Sequence, residues 1–255
     1  MNDRFVERAV LITGAGHGIG RQLAIDFAAE GALVGVNDIN PDTAKATVDD
    51  IASLGGHGRA FIGDVRSSGR VGEIVNEVIN AFQNIDILVN NAGIYPNNLV
   101  IEMSEEEWDR VWDTNVKGMF LMSRAVAKRM IAAKRGGKII NISSTAALRA
   151  RIGASHYCSS KAAISMFTQV LALELAEHKI NVNAVAPGLI EVPDWDLSTE
   201  YINSLVSLTP WGRIGKPKDV SNVVRFLASG EADFMTGSTV VVDGGSAAGQ
   251  NLPRS

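Results

Sequence analysis

Apolar residues come along this chain in short unbroken runs, separated by longer stretches of helical periodicity. The runs fall at 9–13 (AVLIT), 33–38 (LVGVND), 59–64 (RAFIGD), 85–91 (IDILVNN), 137–143 (GKIINIS), 180–187 (INVNAVAP) and 238–244 (STVVVDG). They are near-continuous rather than alternating, the pattern of strands covered on both faces, as in a parallel sheet. The segments between them carry helix starts. Asn40-Pro41 supplies an N-cap and a first-turn proline. Ser104, with Glu107 three residues on, reads as a capping box opening MSEEEWDRVWDTN. The segment 189–215 is long and weakly patterned, and reads as a substrate loop or lid.

Seven such strands with helices between them predict an α/β fold: a Rossmann-type, doubly wound, seven-stranded parallel sheet with helices on both faces, in one domain spanning 1–255. Ligands of such sheets bind outside the carboxyl ends of the strands, so chemistry is sought just after each run. After the first run comes TGAGHGIG, Thr13 to Gly20, opening a helix. Glycines let a backbone turn tightly against a pyrophosphate, and a helix N-terminus favours its charge. The spacing is Gly14-x-x-x-Gly18-x-Gly20, not G-x-G-x-x-G, because Ile19 stands where the third glycine of that pattern falls. His17 in the turn is not a fixed cation. Gly14, His17, Gly18, Ile19 and Gly20 are therefore the expected phosphate-side contacts.

The second run ends in Asp38, 18 residues past Gly20. A carboxylate there accepts hydrogen bonds from both ribose hydroxyls of an adenosine. A 2′-phosphate about 4 Å away would be repelled by about 4 kcal/mol at an effective dielectric near 20. Ile39, Asn40 and Pro41 offer no cation to offset it. The expected cofactor is NAD, with NADP disfavoured.

Composition narrows the class. The chain is 46% hydrophobic and 20% charged, as expected of an ordinary globular protein. Its net charge of −4 without a basic run argues against a nucleic-acid surface. The apolar run near the N-terminus is too short for a secretory signal, and no stretch is long enough to span a bilayer. One cysteine, Cys158, excludes an intrachain disulfide and fits a reducing cytoplasm. The four histidines form no cluster with Cys158 or paired carboxylates, so no metal site is expected.

TGAGHGIG, Asp64-Val65, NNAG (90–93), Asn115, NISS (141–144), Tyr157-x-x-x-Lys161 and APG (186–188) occur in this order along essentially the whole chain. In these motifs the sequence resembles the short-chain dehydrogenase/reductase family. That resemblance implies hydride transfer between a nicotinamide and an alcohol or carbonyl carbon. It implies Tyr157 as acid/base, Lys161 as its cationic neighbour and a ribose ligand, Ser144 as the substrate-orienting hydroxyl, and Asn115 as the holder of a water linked to Lys161. An unperturbed tyrosine near pKa 10 is a poor base at neutral pH, and lowering it to about 7 takes roughly 4 kcal/mol. A cation at i+4 shares the helix face and can supply about that much at an intermediate dielectric. Ser143 points to the opposite side of the strand from Ser144 and is the competitor for its role.

The resemblance further implies that Asp64 and Val65 hold the adenine, that Asn91 and Gly93 line the ribose region, and that Asn90 braces the sheet. Pro187, Gly188, Ile190 and Val192 are expected along the nicotinamide. Val192 matches a position where many members have threonine, so a side-chain contact is lost there. The substrate wall is expected from Tyr95 to Leu99, Leu148 to Ser155 and 191–213. Tyr95, His156 and Trp195 are its candidates; a structural role is the preferred reading of His156, and packing of a surface helix is an equal alternative for Trp195. The expected substrate is a small secondary alcohol or ketone. The alternative is an NADP(H)-dependent 3-oxoacyl-thioester reductase, which 90–120 reads like; Arg135 matches one of two basic residues some such enzymes present to acyl carrier protein, but His178 stands at the other. A non-catalytic dinucleotide sensor is a third reading, against which the retained Tyr157, Lys161, Ser144 and Asn115 argue. Helices at 108–133 and 156–177 carry more apolar surface than one sheet face needs, and in the family such helices pack against partner subunits, commonly in a homotetramer.

Overall fold

In the computed structural model, which describes residues 4–191 and 199–249, the seven runs become β1 (Ala9–Thr13), β2 (Leu33–Asp38), β3 (His57–Ile62), β4 (Ile87–Asn90), β5 (Gly137–Ile142), β6 (Ile180–Pro187) and β7 (Thr239–Val242). They form one parallel sheet in the order β3-β2-β1-β4-β5-β6-β7. The helices are α1 (Gly18–Ala29), α2 (Pro41–Ser53), α3 (Ser68–Phe82), α4 (Glu105–Trp112), α5 (Gly118–Ala133), α6 (Ser155–Leu175), α7 (Thr199–Ser207) and α8 (Pro217–Ala228). Among the described residues, no helix is long and apolar enough to cross a membrane.

The unbroken apolar runs follow from the two-layer cover. In β1, Val10 and Ile12 face a layer that includes Phe27 of α1, Ala44 of α2 and Val224 of α8, while Leu11 faces Val75 of α3 and Met122 of α5. Each side chain of this kind removed from water contributes about 1.5–3 kcal/mol, so neither face tolerates polar alternation.

Local signals set the helix starts. Asn40 accepts from the Asp42 and Thr43 N–H groups at 2.9 and 3.4 Å, with Pro41 in the first turn of α2. Ser104 Oγ accepts from the Glu107 N–H at 3.2 Å. The return half expected of a capping box is not made by Glu107, whose carboxylate turns inward to the site described below. The segment 189–215 also departs from its reading as loop, because α7 forms within it. β3 starts and ends two residues before the expected 59–64. It is an edge strand, half exposed, and its polar start at His57 carries no apolar signal.

Strand order reverses between β1 and β4. The chain leaves these neighbouring strands to opposite faces of the sheet, which opens a crevice at their carboxyl ends. The glycine turn, Asn91 and Gly93, Ser144, and Gly188 follow β1, β4, β5 and β6 at this edge.

Candidate active site

The glycine turn is packed against its neighbours. Gly14 has φ +60°, and a Cβ there would lie 2.8 Å from Ala92 Cα. Gly16, which sequence reasoning passed over, is more constrained. A Cβ would lie 2.3 Å from Thr43 Oγ1 and 2.8 Å from Asp38 Oδ2. The cause is a hydrogen bond from the Gly16 N–H to Asp38 Oδ2 at 2.9 Å. Asp38 is buried, and its Oδ1 accepts from the Asn40 N–H at 3.0 Å. Each carboxylate oxygen accepts more than one bond, so Asp38 braces the turn and keeps capacity for ribose hydroxyls. His17 precedes α1 in extended backbone and provides no side-chain cap. Gly18, Ile19 and Gly20 form the first turn, whose N–H groups suit a phosphate. A close-packed turn, an uncapped helix start and a carboxylate at the end of β2 fit a dinucleotide.

Two expected cofactor residues are engaged elsewhere first. Asp64 accepts from Arg66 Nε at 2.8 Å and from the Arg66 N–H at 2.9 Å. The Arg66 guanidinium holds the Asp64 carboxyl below the usual carboxylate range. Arg66 was not foreseen, although it lies only two residues along the chain. Asn91 donates its amide to the carbonyls of Thr13 and Gly14 at 3.0 and 2.9 Å, so its NH2 secures the glycine turn rather than facing a ligand. Asn90 lies inside the sheet and donates to Ser123 Oγ and Asn141 Oδ1, both at 2.8 Å. Val65 is buried against Gly118, where a Cβ would lie 2.6 Å from Val65 Cγ2. Pro187 ends β6, the Gly188 N–H donates to the Val242 carbonyl at 2.9 Å, and Ile190 bridges to Gly215. The expectations for Val192 and Trp195 lie outside the described residues.

Asn115, Ser144, Tyr157 and Lys161 converge at the crevice. Asn115 sits in a π-helical turn, Asp113–Lys117, between α4 and α5. It is buried, accepts from the Ile94 N–H at 2.8 Å, and donates to the Ile94 carbonyl at 3.0 Å and to Ser160 Oγ at 3.1 Å. The wide turn swings this amide out of its helix toward the β4 loop. A Cβ on Gly93 would lie 3.2 Å from Asn115 Oδ1 and 3.6 Å from Lys161 Nζ, so the NNAG loop passes directly over this pair. Lys161 is buried, with Nζ donating to the Ile142 carbonyl at 2.8 Å and lying 5.6 Å from the Tyr157 ring centroid. Ser144 Oγ accepts from the Ala146 N–H at 3.1 Å, and its hydroxyl acts to lower the Tyr157 phenol. Ser143 instead donates to the Lys161 carbonyl at 3.0 Å and faces α6.

The electrostatics correct one expectation. Lys161 does not bring the Tyr157 phenol down toward neutrality. Burial pushes that phenol above its ordinary value, and the opposing influences are the Ser144 hydroxyl and the Arg151 charge. Burial also pulls the Lys161 amine down to about 8, so it keeps its proton near neutral pH and loses it at mildly alkaline pH.

Tyr95 packs edge-on against Tyr157 with centroids 6.3 Å apart, on the exposed side of the crevice. His156 does not line it. Its ring is fully buried, Nδ1 accepts from the Tyr157 N–H at 2.9 Å, and Nε2 lies 3.3 Å from Glu107 Oε1. The other Glu107 oxygen accepts from Asn98 Nδ2 at 3.2 Å. His156 and Glu107 thus clamp α4, α6 and the Tyr95 loop, a pairing across 49 residues that no local spacing announces.

A family model described as enoyl-(acyl carrier protein) reductase matches residues 14–247, which include the glycine turn and all four converging side chains. A short-chain type dehydrogenase/reductase from Mycobacterium marinum has the same fold, with a TM-score of 0.90 at 36% identity, covering 96% of this chain and 97% of that one. The chain belongs to the short-chain dehydrogenase/reductase family. It is an oxidoreductase of that family, whose dinucleotide is NAD(P). Among curated relatives it is 41% identical to the (2S)-[(R)-hydroxy(phenyl)methyl]succinyl-CoA dehydrogenase subunit BbsD of Thauera aromatica, over 93% of this chain and 96% of the relative. It is 39% identical to the 3-oxoacyl-[acyl-carrier-protein] reductase FabG of Thermotoga maritima, over 95% of this chain and 98% of the relative.

Proposed function

We propose that this chain is an NAD-preferring dehydrogenase/reductase that interconverts a secondary alcohol and a ketone, with Tyr157 as the acid/base. The observation that carries this reading is the convergence of Tyr157 with buried Lys161, whose Nζ lies 5.6 Å from the tyrosine ring centroid, and with Ser144 and Asn115, at the sheet edge that holds the glycine turn. The bound dinucleotide supplies the hydride acceptor or donor. Glycine-turn N–H groups would bind its phosphates, Asp38 its adenosine ribose, and Asp64 its adenine. Ser144 Oγ orients the substrate oxygen toward Tyr157 Oη. Tyr157 Oη takes the alcohol proton in oxidation and returns it to the carbonyl oxygen in reduction. Tyr95 packs edge-on against the Tyr157 ring at the open side of the crevice and helps to fix its position. Burial favours the protonated phenol, so the resting site holds the proton that reduction needs.

The NAD preference rests on Asp38, which is buried, braced by two backbone N–H groups, and followed by no cation through Pro41. A second reading, an NADP(H)-dependent 3-oxoacyl-thioester reductase, is supported by the similarity to FabG over nearly the whole chain. We further propose that the protein is cytoplasmic and acts as a homotetramer. Met166, Val170 and Leu173 form an exposed apolar stripe on α6, and Phe120 adds to it from α5. A second copy would cover them.

The test is absorbance at the nicotinamide band, with purified protein, NAD or NADP in turn, and a panel of secondary alcohols, ketones and acetoacetyl-CoA. Turnover of alcohols or ketones with NAD(H) favoured supports the first reading. Preferential NADPH oxidation by acetoacetyl-CoA replaces it with the second.

A further inference from the structure

Arg151 stands at the mouth of this site without an assigned role. Its guanidinium carbon lies 5.7 Å from the Tyr157 ring centroid. The residue is exposed, and among the described residues it makes no ion pair and no side-chain hydrogen bond. The other arginines near the crevice are engaged: Arg149 with the Ser246 carbonyl and Arg66 with Asp64. Glu107, a carboxylate of the same wall, is spent on His156 and Asn98.

The segment carrying Arg151 is anchored rather than free. The Asn98 N–H donates to the Gly153 carbonyl at 2.7 Å, tying the segment to the Tyr95 loop. The Ala154 N–H donates to the Arg151 carbonyl at 3.2 Å, closing the turn that leads into α6. Arg149 fixes the other end on the turn after β7. An anchored backbone therefore holds an unpaired, permanently charged fork over the Tyr157 ring, at the exposed mouth of the crevice.

We propose that Arg151 is a specificity residue that binds a carboxylate carried by the substrate close to its reacting carbon. The inference rests on the reading of this site as an alcohol/ketone oxidoreductase. Guanidinium pairs with carboxylate in two parallel hydrogen bonds, which would fix the substrate's rotation as well as its position. Ser144 and Tyr157 hold the reacting oxygen, and Arg151 holds the far end. The short span between phenol and guanidinium selects the anion's source. The phosphate of an acyl-carrier substrate is separated from its thioester carbonyl by the whole pantetheine arm, so it cannot lie on Arg151 while that carbonyl lies on Tyr157. A carboxylate a few bonds away can. The substrate class is therefore a hydroxy acid and its oxo acid.

The test uses lactate, 3-hydroxybutyrate and 4-hydroxypentanoate, each paired with its own amide, and 2-butanol as the neutral reference. The series places the carboxylate at increasing distance from one secondary carbinol. Wild type should prefer at least one acid over its amide by about 10–100-fold in kcat/KM, the worth of a charge-assisted hydrogen-bonded pair. Arg151→Gln should reduce that ratio to within about threefold, and Arg151→Lys, which keeps the charge without the fork, should fall between. Calorimetric titration of the matching oxo acid into the protein should show the same order, with circular dichroism confirming that the variants are folded. Turnover of 2-butanol and the amides without preference for any acid overturns the role of Arg151 alone. So does an acid preference that survives Arg151→Gln. Absence of turnover of every compound by wild type overturns the dehydrogenase reading and the inference with it.

Discussion

Lys161→Met removes a buried amine and keeps an unbranched chain of similar length. In the folded protein burial pulls that amine from 10.5 down to about 8. Below pH 8 the fold must hold a protonated lysine in its interior, a penalty of about 3 kcal/mol for a depression of that size. Between pH 8 and 10.5 the unfolded chain still binds the proton that the folded chain has released. Stability of the wild type therefore rises with pH in this window, relative to a variant that lacks the group. From pH 7 to pH 9.5 the relative gain is about 2 kcal/mol. In a chain of this size that moves Tm by about 4–8 °C. The loss of the bond from Nζ to the Ile142 carbonyl, 2.8 Å long, shifts the difference by a constant that does not follow this titration. The assay is thermal unfolding of both proteins without dinucleotide, at equal protein concentration and ionic strength, at pH 7 and 9.5. Wild-type Tm minus variant Tm should increase by that amount. A difference that stays flat or shrinks with pH refutes the reasoning that burial alone sets this amine.

Asp38→Ala should shift the NAD/NADP ratio of kcat/KM toward NADP by about 10–100-fold, because a like charge near a 2′-phosphate is worth up to about 4 kcal/mol at 4 Å; an unchanged ratio removes the basis for the NAD preference. Ser144→Ala should lower kcat by about 10²–10³, the loss of one oriented hydroxyl at the reacting oxygen, whereas Ser143→Ala should leave kcat within about threefold because it faces α6. With the phenol raised by burial, alcohol oxidation should accelerate from pH 7 toward pH 10 as phenolate forms, while ketone reduction stays level and then declines; matched pH profiles in the two directions check this.

How much of this was legible in the chain depended on how local each signal was. β1, β2 and β6 match the apolar runs at both ends, because those runs stop at turn residues. β3 was displaced because an edge strand begins on polar residues. Tyr157 and Lys161 are readable as an i, i+4 pair, but the direction in which each titrates is not, since desolvation depends on everything packed around them. Glu107 illustrates competition between levels. Its spacing from Ser104 predicts a cap, yet its carboxylate is taken by His156 and Asn98, partners that only the folded chain brings near. The π-helical turn that delivers Asn115 has no local periodicity to announce it; the family resemblance implies a helix break there, and bonds to Ile94 and Ser160 hold it. Gly16 was within reach, because a glycine two residues past Gly14 with an aspartate ending β2 is a short-range pattern. Arg151 was not, since its loop has no periodicity and its place over Tyr157 is tertiary.

The central claim is that Tyr157 Oη moves the proton. The direct measurement compares wild type and Tyr157→Phe for turnover of the best secondary alcohol with NAD, alongside NADH affinity by fluorescence titration. Phenylalanine keeps the ring packed against Tyr95 and removes only the hydroxyl. The variant should bind NADH within about threefold of wild type and lose about 10²–10⁴ in kcat. A Tyr157→Phe protein that binds NADH normally and turns over at near wild-type rate would contradict the account.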